Sequence, residues 1–401
     1  MATPFDGEAG IRGQRELDVD LLDNPAAIEA ADPGQMLRAT ASAGAQVRES
    51  AALAAEANLG AVADEGRPRT LVVAGVGTAA RTGDLLATVA GPRCPVPVIS
   101  HRSAGVPGWV SAGDAVIAVS ASGRSPEAIA AADAAARRGA RLVAIGAPDS
   151  ELQSLAERAR APFIPVPRRA PARASLWALT VPVLLAARAF GLVKVNEADL
   201  AETATRLDAD ADRCRPTLES FVNPAKSLAL DLGNSIPILW GSSSLATVAA
   251  RRFADTLSAN ARYPAVAGAL VEAGRGRVGL LDGVYGGLTE AERDIFADPK
   301  EVAEPARLRL VLLRDGGLSE EDGADGEPIA VEERRAEAVQ MLAGRRGVRC
   351  SLVVAEGASP LERLASLTAV PDFASIYLGL AHGFDPMAVP AISELKELTQ
   401  G

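Results

Sequence analysis

Three hydroxyls and a glycine fall within six residues at Ser120-Ala121-Ser122-Gly123-Arg124-Ser125. The run follows an unbroken apolar stretch, Ala115-Val-Ile-Ala-Val119, and precedes an Ala-rich helical pattern starting near Ser125. Hydroxyls donate without bringing charge, and a helix N-terminus adds free N–H groups and the positive end of its dipole. Outside the carboxyl end of a parallel strand, that combination is a phosphate cradle. The plain alternative is that Ser125 caps the helix, with Glu127 in its first turn; the two roles are compatible. A second run, Ala74-Gly75-Val76-Gly77-Thr78, also stands between a strand and a helix. Gly75 and Gly77 let backbone approach an anion. The run lacks the third glycine of a dinucleotide fingerprint and the acidic residue that should end the next strand. On its own it is equally a tight strand-to-helix turn.

Other chemistry is sparse. His101 and His382 are the only histidines, and their spacing builds no metal site. Cys94, Cys214 and Cys350 form no CxxC pair, which suits idle thiols in a reducing cytosol. No metal and no cofactor is expected. Only four of 41 basic residues are lysines: Lys194, Lys226, Lys300 and Lys396. The formal charge of −10 argues against nucleic acid or an anionic membrane as partner, yet leaves room for a small anion. Residues 1–20 are acidic and Gly-rich, unlike a signal peptide. No membrane span is expected; the nearest stretch, Ala178 to Ala189, is short and carries Pro182 and Arg188. A cytoplasmic protein is the expectation.

The elements that must hold these residues alternate. A helix is expected over 35–63, then strands at 70–74, 96–99, 115–119, 141–145 and 163–164. Helices over 78–89, 125–138, 150–160 and 176–190 separate them. A polar helix over 196–213 leads to a second series. Strands fall there at 236–240, 307–313 and 348–354, with helices over 245–260, 331–343, 361–370, 374–381 and 392–398. Strand–helix alternation means a parallel sheet covered on both faces. The chain of 401 residues is long enough for two such domains. The expected division is an N-terminal extension over 1–34, a first domain over 35–195 and a second over 196–401. An acidic, Gly-rich, flexible loop is expected at 315–329.

A strand, then SxSGxS, then a helix resembles the phosphosugar loop of sugar isomerase (SIS) domains. Two in tandem resemble the bifunctional phosphoglucose/phosphomannose isomerase family. Gly75 to Asp84, Pro171-Ala-Arg-Ala174, Trp240-Gly-Ser-Ser243, Ala250-Arg-Arg-Phe253, Asn260-Ala-Arg-Tyr-Pro264, 372–380, Asp385-Pro386 and Leu395-Lys396 follow that family's order over roughly 35–398. The resemblance implies an α/β fold of two tandem SIS-type, flavodoxin-like parallel-sheet sandwiches. It implies a hexose phosphate as ligand, held by Ser120, Ser122 and Ser125, and a homodimer. It also implies aldose–ketose isomerisation, with Arg173 as active-site arginine and Lys396 acting on sugar oxygens.

The departures bear on chemistry. The family's catalytic Glu falls on Ala259, its ring-opening His on Arg275, and a phosphate-holding Ser on Ala79. Moving a proton between C1 and C2 needs a base, and losing one costs about two to four orders of magnitude. Glu272 and Asp255 are carboxylates near in sequence; Arg275 and Arg277 suit a second anionic group. The expectation is a phosphosugar-binding protein with weak or lost isomerase activity. The alternatives are an isomerase using a different base and a structural partner with an empty site.

Overall fold

The computed structural model describes residues 17–64, 66–287, 307–316 and 326–399. The chain opens with a short 3-10 turn (Asp20–Asp23), then α1 (Pro25–Ala31), α2 (Met36–Ala41), α3 (Ala43–Glu56) and α4 (Gly60–Ala63). The single helix expected over 35–63 is therefore three. Ser42 separates the first two, its Oγ donating to the Ala39 carbonyl, and Ala57 turns extended after Glu56. The described part of the N-terminal extension is anchored in the core, since Leu22 and Ile28 are fully buried.

The first sheet series runs β1 (Leu71–Ala74), α5 (Thr78–Ala90), β2 (Val98–His101), β3 (Ala115–Ser120) and α6 (Pro126–Arg137). It continues with β4 (Arg141–Gly146), α7 (Glu151–Arg158), β5 (Phe163–Pro165), a 3-10 turn (Ala172–Ala174) and α8 (Leu176–Ala189). Two helices, α9 (Glu197–Arg213) and α10 (Pro224–Leu232), lead onward. The second series is β6 (Ile236–Gly241), α11 (Ser244–Thr256), a π turn (Leu257–Ala261), β7 (Val266–Ala269) and α12 (Leu270–Ala273). A 3-10 turn (Arg277–Asp282), β8 (Leu308–Arg314), α13 (Gly326–Arg345), β9 (Arg349–Val354), α14 (Pro360–Ala381) and α15 (Pro390–Thr399) complete it.

Both sheets are parallel. The first has the order β2-β1-β3-β4-β5 and the second β7-β6-β8-β9, so the second repeats the first without its last strand. β1, β3 and β4 are buried throughout, as continuous apolar strands covered on both faces must be. The pleat sorts their side chains. Val72, Ala74, Val116 and Ala118 pack under α6 and α7; Leu71, Val73, Ile117 and Val119 join the opposite face. There the core is continuous with Leu239, Val311 and Leu313 of the second sheet, through α3, α5, α8, α11 and α14. One layer of helices thus lies between two sheets, with α6 and α7 outside one and α12 and α13 outside the other.

Three expectations need correction. The helices expected over 361–370 and 374–381 are one, α14, which runs through Pro371. Among the described residues α14 is long and apolar enough to cross a membrane, but 94% of its apolar window is buried, so it is a core helix. The loop expected at 315–329 ends earlier, because α13 starts at Gly326; residues 317–325 lie outside the described residues. Finally, α10 and β7 were not expected at all.

Candidate functional site

In the first sheet the chain leaves β1 for β2 on one side and then crosses to β3 on the other. The carboxyl ends of β1 and β3 therefore flank a topological switch point, where open α/β sheets have their crevice. The glycine run stands on one side. A Cβ at Gly75 would lie 2.8 Å from the Val119 carbonyl oxygen of β3, so only glycine lets the strands close here. Gly75 N–H donates to the His101 carbonyl at 3.0 Å. Gly77 takes φ +60° and begins α5 with no side chain capping it.

The serine loop stands on the other side. Ser120 ends β3, and its Oγ accepts from the Ser125 N–H at 3.3 Å and lies 3.5 Å from Ser122 Oγ. Ser122 Oγ accepts from the Arg124 N–H at 3.2 Å. Gly123 takes φ +66°, and a Cβ there would meet Ser150 Oγ at 2.1 Å. Ser125 occupies the cap position of α6, yet caps nothing. Its Oγ donates to Glu127 at 2.7 Å instead of accepting from the helix, and that bond holds the Glu127 carboxyl below its usual range. The first turns of α5 and α6 thus both lack a side-chain cap, and the two helices begin on one crevice.

The residues from the second series are arranged less simply. Arg173 is half-buried, which lowers its pKa against the pull of Asp385, and it donates to the carbonyls of Pro386 and Met387. It therefore ties the first series to the segment leading into α15. Lys396 lies on α15, with its side chain outside the described residues. Buried Arg252 donates to both oxygens of Asp372 at 3.1 and 3.0 Å, and to the Arg173 carbonyl, locking α11 to α14. A small, partly open cavity beside this pair is lined by Thr40, Trp177 and Phe373, and by no residue of the glycine or serine loop. Ala259 sits in the π turn, whose close approach to α14 depends on Gly379, where a Cβ would meet the Asn260 carbonyl at 2.6 Å. Glu272, Arg275 and Arg277 are exposed; Arg277 reaches the Ala267 carbonyl at 3.4 Å. Ala79 is buried in α5 and offers no donor.

One cluster was invisible to local pattern. Arg81 of α5 grips Asp255 of α11 with two bonds, Nε to Oδ2 at 2.5 Å and Nη2 to Oδ1 at 3.0 Å. Its Nη1 donates to Asp84 at 3.0 Å, and Asp84 also accepts from Arg102 at 2.6 Å. Residues 174 apart in sequence carry no spacing signal. The cluster joins the first turn of α5 to the last turn of α11, about one helical turn, 5.4 Å of rise, from Gly77 and from Ala259 respectively. Among the described residues no three His, Cys, Asp or Glu side chains gather as metal ligands.

Residues 221–398 match the family described as the bacterial phospho-glucose isomerase C-terminal SIS domain. Over 331 residues the chain is 27% identical to the bifunctional phosphoglucose/phosphomannose isomerase of Caldicellulosiruptor bescii, covering 81% of this chain and 88% of that one. Among solved structures, a hypothetical protein of Thermus thermophilus superposes with a TM-score of 0.66 at 15% identity, covering 95% of this chain and 94% of that one. The glucosamine-6-phosphate deaminase of Thermotoga maritima does so with a TM-score of 0.58 at 13% identity, covering 89% and 98%. The chain therefore resembles the bifunctional isomerase family along most of its length. The structural likenesses bear out the parallel-sheet α/β fold, and the family match gives its SIS type over residues 221–398.

Proposed function

We propose that this chain binds a hexose 6-phosphate between the Gly75–Gly77 and Ser120–Ser125 loops, and that its aldose–ketose isomerase activity is weak or lost. One observation carries the binding: two helices with no side-chain cap begin on the crevice of the switch point, lined by Ser120, Ser122 and Ser125. Such N-termini and hydroxyls suit a phosphate. The names of the relatives, a phosphoglucose/phosphomannose isomerase and a glucosamine-6-phosphate deaminase, agree with that ligand class. The weak activity follows from Ala259, whose methyl group can neither take nor return a proton. A thermal-shift panel of glucose, mannose and fructose 6-phosphates, with a coupled assay starting from fructose 6-phosphate, tests both parts. Stabilisation without turnover supports the reading.

The second reading, an isomerase working through another carboxylate, rests on Asp255, one turn before Ala259. Both its oxygens accept from Arg81, which fixes the carboxylate against α5 and leaves each oxygen one further lone pair for a substrate proton. Glu272 is exposed, and among the described residues its carboxylate accepts no hydrogen bond. We also propose division at 195/196 and a homodimer, which the family resemblance implies. The exposed Val266, Val271, Leu280, Val284 and Tyr285 on the β7 side give apolar surface for a second copy. A concentration-independent monomer in analytical ultracentrifugation refutes the dimer.

A further inference from the structure

The binding site so far is made of uncharged donors, yet a guanidinium stands beside it. The Arg81 N–H donates to the Gly77 carbonyl at 3.4 Å, which fixes this residue one turn into the helix that opens on the glycine loop. Helical side chains tilt toward the N-terminus of their own helix, so the Asp84 carboxylate, three residues on, reaches back to the Arg81 guanidinium over the first turn of α5. A guanidinium has five N–H donors. Three are used, two on Asp255 and one on Asp84. Among the described residues the other two have no acceptor, and the side chain is 18% exposed. Burial works against its charge, but Asp255 and Asp84 more than offset it and raise its pKa. The cation is thus both permanent and fixed in place. Arg173 uses only Nη2, on the carbonyls of Pro386 and Met387, and its buried Nε has no acceptor among the described residues.

We propose that Arg81 is a ligand-binding residue of this site, that its two spare N–H groups take a phosphoryl oxygen of the sugar phosphate, and that Asp255 positions it. The proposal rests on the phosphosugar reading and adds a contact that this reading does not contain. A planar fork matches phosphate geometry, and charge-assisted bonds of this kind are roughly twice as strong as neutral ones. Because Asp255 belongs to α11, the site is complete only when the two series are docked.

The test is calorimetric titration of the full chain with inorganic phosphate and, separately, glucose 6-phosphate. Arg81→Lys keeps the charge but loses the fork, and is expected to weaken both ligands about tenfold. Asp255→Asn is expected to weaken both by a smaller factor, and Asp255→Glu to recover most of the loss, a rescue that general damage to the fold does not give. Arg137→Ala, which removes an exposed cation from the last turn of α6, is expected to change little. Unchanged affinities in Arg81→Lys overturn the proposal. So does a loss confined to glucose 6-phosphate, which places the contact on the sugar, and so does an equal loss in Arg137→Ala. Should Arg81→Lys not fold, equal affinities for the wild type and Asp255→Asn overturn it as well. If Arg81→Lys weakens binding while Ser122→Ala with Ser125→Ala does not, the serine-loop reading falls and Arg81 stands. A wild type that binds neither ligand overturns both.

Discussion

Serine hydroxyls hold a phosphate by donation alone, so removing them removes grip without unbalancing charge. A ligand bound only by the folded chain at 100 times its Kd adds about 2.7 kcal/mol of stability. Ser122→Ala with Ser125→Ala is expected to abolish most of the Tm increase given by glucose 6-phosphate while moving the unliganded Tm little. The Ser125 hydroxyl supports only Glu127, so little structure depends on it. A full ligand shift in the double variant refutes the site. For the chemistry, Ala259→Glu is expected to raise turnover of fructose 6-phosphate, mainly in kcat, and more so with Arg275→His beside it. Wild-type turnover of tens per second, an ordinary enzymatic rate, rejects the premise. The serine and glycine loops were legible because each is a contiguous run with its strand before it and its helix after. Arg81 with Asp255, and Arg252 with Asp372, were not, because each pair meets only when α5, α11 and α14 pack.

Elements impose their own conditions on the site. Gly123 stands in the left-handed region, with Ser150 Oγ where a Cβ would go. Gly123→Ala is expected to cost about 1–3 kcal/mol in chemical denaturation and to lose the ligand shift with it, since backbone strain and overpacking act together. Retained stability and binding refute that account of the loop. A second condition concerns α9 and pH. Burial pushes the Asp210 carboxyl up to about 6, against the nearby Arg213 and Arg206. Arg213 Nη2 stands 2.8 Å from Oδ1, but neither carboxylate oxygen accepts a well-directed hydrogen bond. The folded chain therefore holds this proton more tightly than the unfolded one, where Asp titrates near 3.9. The stability contribution is fully present below about pH 4 and is lost as pH rises through about 6. Asp210→Asn is expected to stabilise by about 2 kcal/mol more at pH 8 than at pH 4.5. An equal effect at both pH values overturns this. The strands of the first sheet were readable because burial on both faces makes them continuous apolar runs. β7 was not, since Val266-Ala-Gly-Ala269 has little strand propensity and pairs only at the edge of β6. α10 did leave a signal, Asn223-Pro224, a capping residue followed by proline at the first helical position. Pro371 misled, because a proline inside an apolar pattern reads as a boundary, and packing on α9, α10 and α11 carries α14 through it.

At the scale of the whole molecule, the two sheets share one core. The division at 195/196 is a proposal about topology, and it does not imply two independent folding units. A single cooperative transition is expected in calorimetry, with calorimetric and van't Hoff enthalpies equal; two resolved transitions refute the shared core. That core also puts an order into the making of the molecule. α14 packs on α9, α10 and α11 and on the turn at Asp20–Asp23, and the Asp18 N–H donates to the Ala381 carbonyl. At roughly 5–20 residues per second of synthesis, tens of seconds separate the appearance of Leu22 from that of Leu378. Until α14 emerges, the apolar faces of α9, α10 and α11 wait on the ribosome for the helix that closes them. A nascent chain stalled short of Pro360 is thus a natural client for a holding chaperone.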